Sequence, residues 1–554
     1  MSRPGFLLAA SALLAAVVSS PAAAQNGGQG ETAVEPRGAR SAGRHSELVP
    51  YIEASQVLTS ELEPGNDTVT YTALAIGLDA SVSGRNSAAS ASLRYERRIG
   101  WGDGDAGGDT ISGIARAGLG VAEGLTLEAG GFAARTRVEA NGFASLGGFA
   151  GDDDGTSQVY SVYAGPSVQA LEGDVQVEGH YRLGYTRVEE PDALVTAPGA
   201  APVDIFDEST VHAAYARAGT RPGTVLPVGL GLGAGYTQQD VSNLDQRVVD
   251  GYVRADVIAP VSGSVAVVGG IGYEDVEISS RDAVRDAGGD PVIGGDGRYV
   301  TDDTAPRRIA YATEGLIWDV GVMWRPSRRT SLEAYVGERY GTMTYRGALS
   351  YAPNSRSRLS VSVYDDLTSF GGMMVNQLAG LPAEFDAFRS AITGEIGGCV
   401  AALEGQTCVA NALGSVRSVA FRSSGIAASY GVDLGRTEFG IGLGYDHREY
   451  VAAAGTVIED LDGLVDEAVW IAVYADTRLD EVSGLSFNAN ANWFQSEFDL
   501  SRDAVGYSTS LAYRRDLLRG LNGIAAIGLD GISRENLPDF LSASALLGLR
   551  YAFH

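Results

Sequence analysis

The chain has 554 residues, of which 45% are hydrophobic and 20% charged, with a formal net charge of −28 and 74 glycines. The apolar content excludes wholesale disorder, and the acidic balance excludes nucleic-acid binding, which needs a basic surface. All 41 basic residues are arginines, a composition that high-GC codon bias produces and that also suits a polar interior where guanidinium forks hold carboxylates.

Residues 1–24 read as a cleaved signal peptide: Arg3 supplies the positive start, Phe6 to Val18 the apolar run, and Ala22-Ala23-Ala24 before Gln25 the small-residue cleavage site. That run is too short to span a membrane as a helix, and no later segment is long and apolar enough. Residues 25–48 are polar and Gly-rich, as expected of a disordered periplasmic lead.

From Val49 a two-residue period takes over. In Ala89–Trp101, Ala91, Leu93, Tyr95, Ile99 and Trp101 share one face, Ser92, Arg94, Glu96 and Arg98 the other, and only Arg97 breaks the apolar side. A strand sends alternate side chains to opposite faces. The pattern recurs over Val175–Tyr185, Leu316–Trp324 and Leu541–Phe553. Short turns, such as Gly84-Arg85-Asn86, Glu123-Gly124, Glu172-Gly173 and Gly435-Arg436, alternate with longer acidic loops near 140–156, 190–208, 279–306, 367–421 and 452–465. Short turns at one end and long loops at the other, with aromatics near segment ends, define an outer-membrane barrel. The fold class predicted is therefore all-β: a transmembrane antiparallel up-and-down barrel of about 22 strands, with 18–22 as the range, occupying residues 49–554. The last strand, with Leu547, Leu549, Tyr551 and Phe553 on one face, resembles the signature through which barrel-assembly machinery selects its clients, although His554 follows the aromatic.

The longest loop, 367–421, breaks the rhythm. Pro382 suits a first helical turn, and Phe385, Phe388 and Ile392 space an apolar stripe over Ala383–Ile392, predicting a helix there. Cys399 and Cys408, the only cysteines, are expected to form a local disulfide in an oxidising compartment. A stapled loop of this length either folds into or over the barrel, or stands out as an exposed contact surface.

The residues expected to line a lumen are Asp79, Arg94, Glu96, Arg98, Arg116, Glu128, Glu178, Arg182, Asp319, Glu333, Arg339, Arg514 and Arg550. Both signs are represented, so the charges can pair across a wet, polar interior. A barrel this wide cannot be filled by its wall side chains alone.

Catalytic chemistry finds little support. His45, His180, His212, His447 and His554 are scattered, without metal-ligand spacing, and no Gly-x-Ser-x-Gly elbow occurs. His180 and His212 fall on neighbouring predicted strands, which leaves a barrel-wall hydrolase as the weakest of the readings. Acidic groups at Asp103, Asp105 and Asp109, at Asp152-Asp153-Asp154, at Asp286, Asp290 and Asp296, and at Asp302-Asp303 fit a solvated rim or loops that share divalent ions with lipopolysaccharide. No catalytic residue, cofactor or protein-held metal is predicted.

The run Trp324-Arg-Pro-Ser-Arg-Arg-Thr-Ser-Leu-Glu333, with Gly337-Glu-Arg-Tyr-Gly341, Leu349-Ser-Tyr351 and the early Pro50-Tyr-Ile-Glu-Ala-Ser-Gln56, resembles the uncharacterised outer-membrane β-barrel proteins associated with PEP-CTERM/exosortase and exopolysaccharide systems. The resemblance implies a barrel linked to envelope polysaccharide or surface-protein handling, and no catalytic residues.

The function expected is a channel, porin-like or an export pore, for a hydrophilic solute or polymer. The alternative is a non-conducting structural or interaction barrel of the Gram-negative envelope. Expected partners are outer-membrane lipid and lipopolysaccharide, the barrel-assembly machinery, and a hydrophilic solute or polysaccharide. TonB-dependent transporters share the strand number but fill their barrels with a separate domain, for which the lead 25–48 is too short.

Overall fold

The computed structural model describes residues 45–65, 67–101, 107–138, 144–145, 156–189, 206–295, 298–401, 407–408, 413, 415–497, 503–535 and 538–553. The signal peptide, most of the lead, Asp103, Asp105, Asp152, Asp153, Asp154, Asp296 and His554 lie outside the described residues.

The strands in chain order are β1 (His45–Glu63), β2 (Thr68–Ser83), β3 (Ser87–Trp101), β4 (Gly108–Ala122), β5 (Leu125–Val138), β6 (Ala144–Ser145), β7 (Thr156–Glu172), β8 (Val175–Glu189) and β9 (Glu208–Thr220). There follow β10 (Gly229–Val241), β11 (Gln246–Pro260), β12 (Val265–Ser280), β13 (Arg308–Ser327), β14 (Thr330–Arg339), β15 (Thr342–Asn354) and β16 (Ser357–Thr368). The long loop then holds one α-helix, α1 (Phe370–Ala379), and the short strands β17 (Asp386–Arg389), β18 (Ile396–Ala401) and β19 (Thr407–Cys408). The barrel resumes with β20 (Phe421–Asp433), β21 (Thr437–Tyr450), β22 (Val465–Arg478), β23 (Ser483–Ser496), β24 (Asp503–Leu518), β25 (Leu521–Arg534) and β26 (Phe540–Ala552).

Each long strand pairs antiparallel with the next, β5 meets β7 and β16 meets β20 directly, and β1 pairs with β26, closing a ring of 22 strands. Closure leaves no sheet edge, so every backbone group of the wall can be satisfied without water, which is the condition for crossing a bilayer with strands. The outward positions carry the greasy half of the alternation: Ile76, Leu232, Ile271, Leu316, Ile527 and Leu547 are all exposed. Among the outward aromatics, Tyr445 donates to Glu467 (2.6 Å), Trp318 to Glu338 (3.0 Å) and Trp101 to Thr72 (2.9 Å). Rings with one polar end suit the headgroup layer. The chain is thus an outer-membrane β-barrel, with the short turns on the periplasmic side and the long loops outside.

The glycine load has a structural cause. The rings of the inward tyrosines Tyr51, Tyr252, Tyr335 and Tyr474 lie flat across Gly77, Gly235, Gly321 and Gly440 of neighbouring strands, where a Cβ would overlap the ring. Bulky side chains are folded against the wall, and the lumen stays wide.

Two details differ from the sequence expectation. The wall begins at His45, inside the expected lead, and not every outer connection is long: β10 to β11 crosses in Ser242–Asp245 and β14 to β15 in Tyr340-Gly341. Tyr340 and Gly341 both have positive φ (54° and 61°), as a tight primed hairpin turn demands. Tyr340 tolerates this because Tyr311 Oη donates to its carbonyl (2.6 Å) and its N–H reaches Glu274 Oε1 (2.5 Å).

Candidate functional site

The described residues of 369–420 do not stand out into the medium; they fold into the barrel. Ser369 caps α1 by accepting from the Gly372 N–H (3.2 Å), and the Gly371-Gly372 pair lets the helix press on the wall, where a Cβ would strike Ser209 and Gln239. Phe370, Met374, Val375 and Leu378 are fully buried, against the inward Ile114, Phe132, Val159 and Val211 of β4, β5, β7 and β9. Phe370 meets Phe206 edge-on at 4.9 Å. Burying each such side chain contributes roughly 1.5–3 kcal/mol, more than the roughly 0.5–1.5 kcal/mol of a neutral hydrogen bond, so apolar packing dominates the seat of the helix.

The expected helix over Ala383–Ile392 is not formed; β17 occupies that stretch and α1 lies earlier, at 370–379. The spacing of Phe385, Phe388 and Ile392 misleads because each finds a different wall. Phe385 joins the cluster around α1. Phe388 stacks on Tyr474 of β22. Ile392 packs with Val57, Tyr71, Ala512 and Leu546 of β1, β2, β24 and β26.

Between these contacts Arg389 uses its whole guanidinium fork on the opposite wall. Nε donates to Ser92 Oγ (3.0 Å), Nη1 to Ser112 Oγ (2.7 Å) and the Gly394 carbonyl (2.8 Å), and Nη2 to the carbonyls of Ser92 (2.8 Å) and Ser112 (3.1 Å). Burial holds its pKa below the ordinary arginine value. Glu395 accepts from the Arg135 N–H (3.1 Å), and burial raises its pKa despite the nearby Arg135, Arg98 and Arg389. Further on, Arg417 pairs with Asp466 of β22 (3.1 Å) and the Ser418 carbonyl accepts from Gln246 (3.2 Å). The segment therefore reaches from β3–β4 across to β22–β26 and is tied down at both. Cys399 and Cys408 are cross-strand partners on β18 and β19; their side chains lie outside the described residues.

The charged residues expected in the lumen all lie on the inward face, in three settings. Arg94, Glu96 and Arg98 form a buried ladder with Glu53 (2.7–3.0 Å) on the wall beneath the inserted segment, so they face protein, not a wet lumen. On the same flank Arg116 pairs with Glu128 (3.4 Å), and Arg182 lies in the field of Glu128. Toward the remaining lumen, Glu178 pairs with Arg217 (3.7 Å), Asp319 with Arg254 (2.6 Å), Glu333 with Arg325 (2.6 Å), and Arg339 with Asp250 (3.0 Å) and Glu274 (3.1 Å). Arg514 pairs with Asp476, and Arg550 with Asp79 (2.6 Å).

A uniformly polar interior is thus corrected: the wall at β4–β9 and β22 is apolar where the inserted segment rests. The signal was present in single interruptions of the polar face, such as Ile114 between Ser112 and Arg116, and Phe132 two turns of the pleat beyond Glu128. Arg389 carried no signal, since nothing local reports that a loop residue will be buried in the barrel.

No protein-family model and no curated protein matches this sequence. Among solved structures, the chain is similar to the FrpB iron transporter from Neisseria meningitidis (10% identity over 91% of this chain and 81% of that one, TM-score 0.42). It is also similar to the ferric-catecholate import receptor Fiu from E. coli K12 (9%, 91% and 81%, 0.42) and to the siderophore receptor PiuA from Acinetobacter baumannii (7%, 91% and 82%, 0.39). The closed ring of strands, and not these likenesses, establishes the barrel.

The described histidine side chains, those of His180, His212 and His447, do not converge. His180 points inward beside Tyr215 (5.6 Å between rings), whereas His212, opposite Leu183, points outward and meets Tyr181 Oη (2.8 Å). His447 pairs with Glu467 on the outer face (3.4 Å). Among the described residues, no group of three or more His, Cys, Asp or Glu is arranged to hold a metal ion.

Proposed function

We propose that this protein is a gated outer-membrane channel for a hydrophilic solute, held closed by residues 370–420. One observation carries the reading: the lumen is occupied by the barrel's own loop, tethered at the root of β16 and β20, rather than by wall side chains. A tethered segment can leave and return, and the ion-paired wall it leaves bare suits an aqueous path. The resemblance to exopolysaccharide-linked barrels supports an envelope polymer as cargo, and we keep that as part of the proposal.

The apolar seat of α1 favours a second reading, a permanently plugged interaction barrel. Planar-bilayer conductance separates the two, using the refolded mature protein with and without residues 370–420, both checked for the heat-dependent gel shift of a folded barrel. Conductance that appears or rises on deletion supports the gate. Silence in both folded proteins leaves the interaction barrel.

A further inference from the structure

The hydrogen bonds and apolar contacts of the inserted segment fall on β1–β12, on the β14–β15 turn and on β20–β26. Ala420 meets β12 only at its outer end, beside Val276 and Ile278, and among the described residues the middle of β12–β15 carries none of these contacts. The inward surface from β9 to β15 carries a ladder of arginine–carboxylate pairs. Arg217 grips Asp256 with two bonds (3.1 and 2.7 Å), and Arg254 grips Asp319 with two more (2.6 and 2.7 Å). The ladder is layered in part. Side-chain exposure is 21% for Arg217 against 2% for Asp256, 28% for Arg339 against 3% for Glu274, and 58% for Arg346 against 16% for Asp319, whereas Arg254 and Asp319 are almost equally exposed (17% and 16%) and Glu178 (36%) is more exposed than Arg217. In the first three of these pairs the carboxylate lies against the wall and the guanidinium stands over it, so around Arg339 and Arg346 the face presents cation to the lumen.

Among the described residues, Arg346 is the member with donors to spare. Its contact with Asp319 is long (3.9 Å), because Arg254 already holds that carboxylate bidentately, and its guanidinium lies 4.4 Å over the Tyr335 ring. Tyr335 is itself pressed onto Gly321, which fixes the platform. A planar fork stacked on a fixed ring, with free N–H groups, is arranged to bind carboxylate or phosphate oxygens two at a time. Asp386 of the inserted segment sits elsewhere: it is in the field of Glu47 and Asp79 and acts on Glu438, toward β1–β2 and β21.

We infer that the wall β9–β15 is a path for anionic solutes bearing carboxylate or phosphate groups, and that Arg346 is its specificity-determining residue. The inference rests on the channel reading for its transport role, but the binding it requires is measurable without conductance. Inorganic phosphate is titrated against the full-length refolded barrel and followed by 31P line broadening, with Arg346→Gln, Arg346→Lys and, as a control on the outer face, Arg97→Gln.

Binding to the parent protein, weakened about tenfold or more by Arg346→Gln, partly restored by Arg346→Lys and unaltered by Arg97→Gln, is the expected result. Absence of binding, or equal binding by Arg346→Gln, overturns the inference. Displacement of phosphate by succinate extends the site to carboxylates, and failure to displace restricts it to phosphate. In bilayers under a KCl gradient, Arg346→Glu is expected to move the reversal potential toward cation selectivity. A conducting barrel whose selectivity ignores that change overturns the inference alone. A silent barrel that binds phosphate through Arg346 overturns only the channel reading.

Discussion

Phe388, in the loop between β16 and β20, stacks on Tyr474 of the far wall with ring centroids 3.7 Å apart and planes 23° from parallel. Tyr474 in turn lies across Gly440 of β21. A wall glycine, a wall ring and a loop ring thus form one stack that links the barrel's geometry to the position of its inserted segment.

That stack predicts a distant effect of a small change. A methyl group at Gly440 would overlap the Tyr474 ring, whereas one at Gly269 meets nothing within 4 Å. Gly440→Ala should lower the thermal unfolding midpoint and raise protease cleavage within 370–420, at a cost of about 1–3 kcal/mol for the overpacking. Gly269→Ala should leave both within error. Equal behaviour of the two variants in the melt and the digest would falsify the stacking account.

Arg389 is a polar tether with five hydrogen bonds. Arg389→Ala strips five donors from Ser92, Ser112 and Gly394 and leaves buried acceptors bare, a loss of roughly 1–3 kcal/mol in the seat of the segment. On the gated-channel proposal, openings should become more frequent with unchanged unitary conductance. A barrel that unfolds outright, instead of gating more often, would show that Arg389 holds the wall together and not the loop.

The seat should also respond to pH. Burial raises the pKa of Glu395 above the ordinary carboxylate value, against the opposing field of Arg135, Arg98 and Arg389, and burial beside Glu47 and Asp79 raises that of Asp386. A carboxyl with a raised folded-state pKa contributes stability that is fully present below its unfolded pKa and lost as pH climbs through the folded value. The segment should therefore be held firmly at acid pH and loosen as pH rises beyond the usual carboxylate range. Protease accessibility of 370–420 measured across that window, with Glu395→Gln showing a flatter curve, checks the sign; tightening with rising pH contradicts it.

Cys399 and Cys408 are cross-strand partners on β18 and β19, which predicts a disulfide in protein matured outside the cytoplasm. Iodoacetamide should label neither cysteine before reduction and both after it. Labelling of the unreduced, exported protein would remove the staple from the picture.

The barrel was legible in the sequence because a lipid-facing wall imposes a rule that each residue obeys locally. Leu547, Leu549 and Tyr551 must be apolar and Gly548 and Arg550 need not be, whatever the rest of the chain does. The two-residue period, the short turns and the closing strand follow from that rule, and so does the inward position of Arg94, Glu96, Asp319 and Arg339. What those inward residues touch did not follow. Whether Arg94 meets water or a loop, and whether Phe385 to Ile392 coil into a helix or spread over three walls, depends on a segment some 300 residues away in sequence from Ser90 or Ser112 entering the same lumen. The alternation that the bilayer demands fixes the barrel strand by strand. The loop's place was decided only in the tertiary structure, because its apolar side chains and the guanidinium groups of Arg389 and Arg417 find their partners by long-range packing, for which a local sequence pattern has no register.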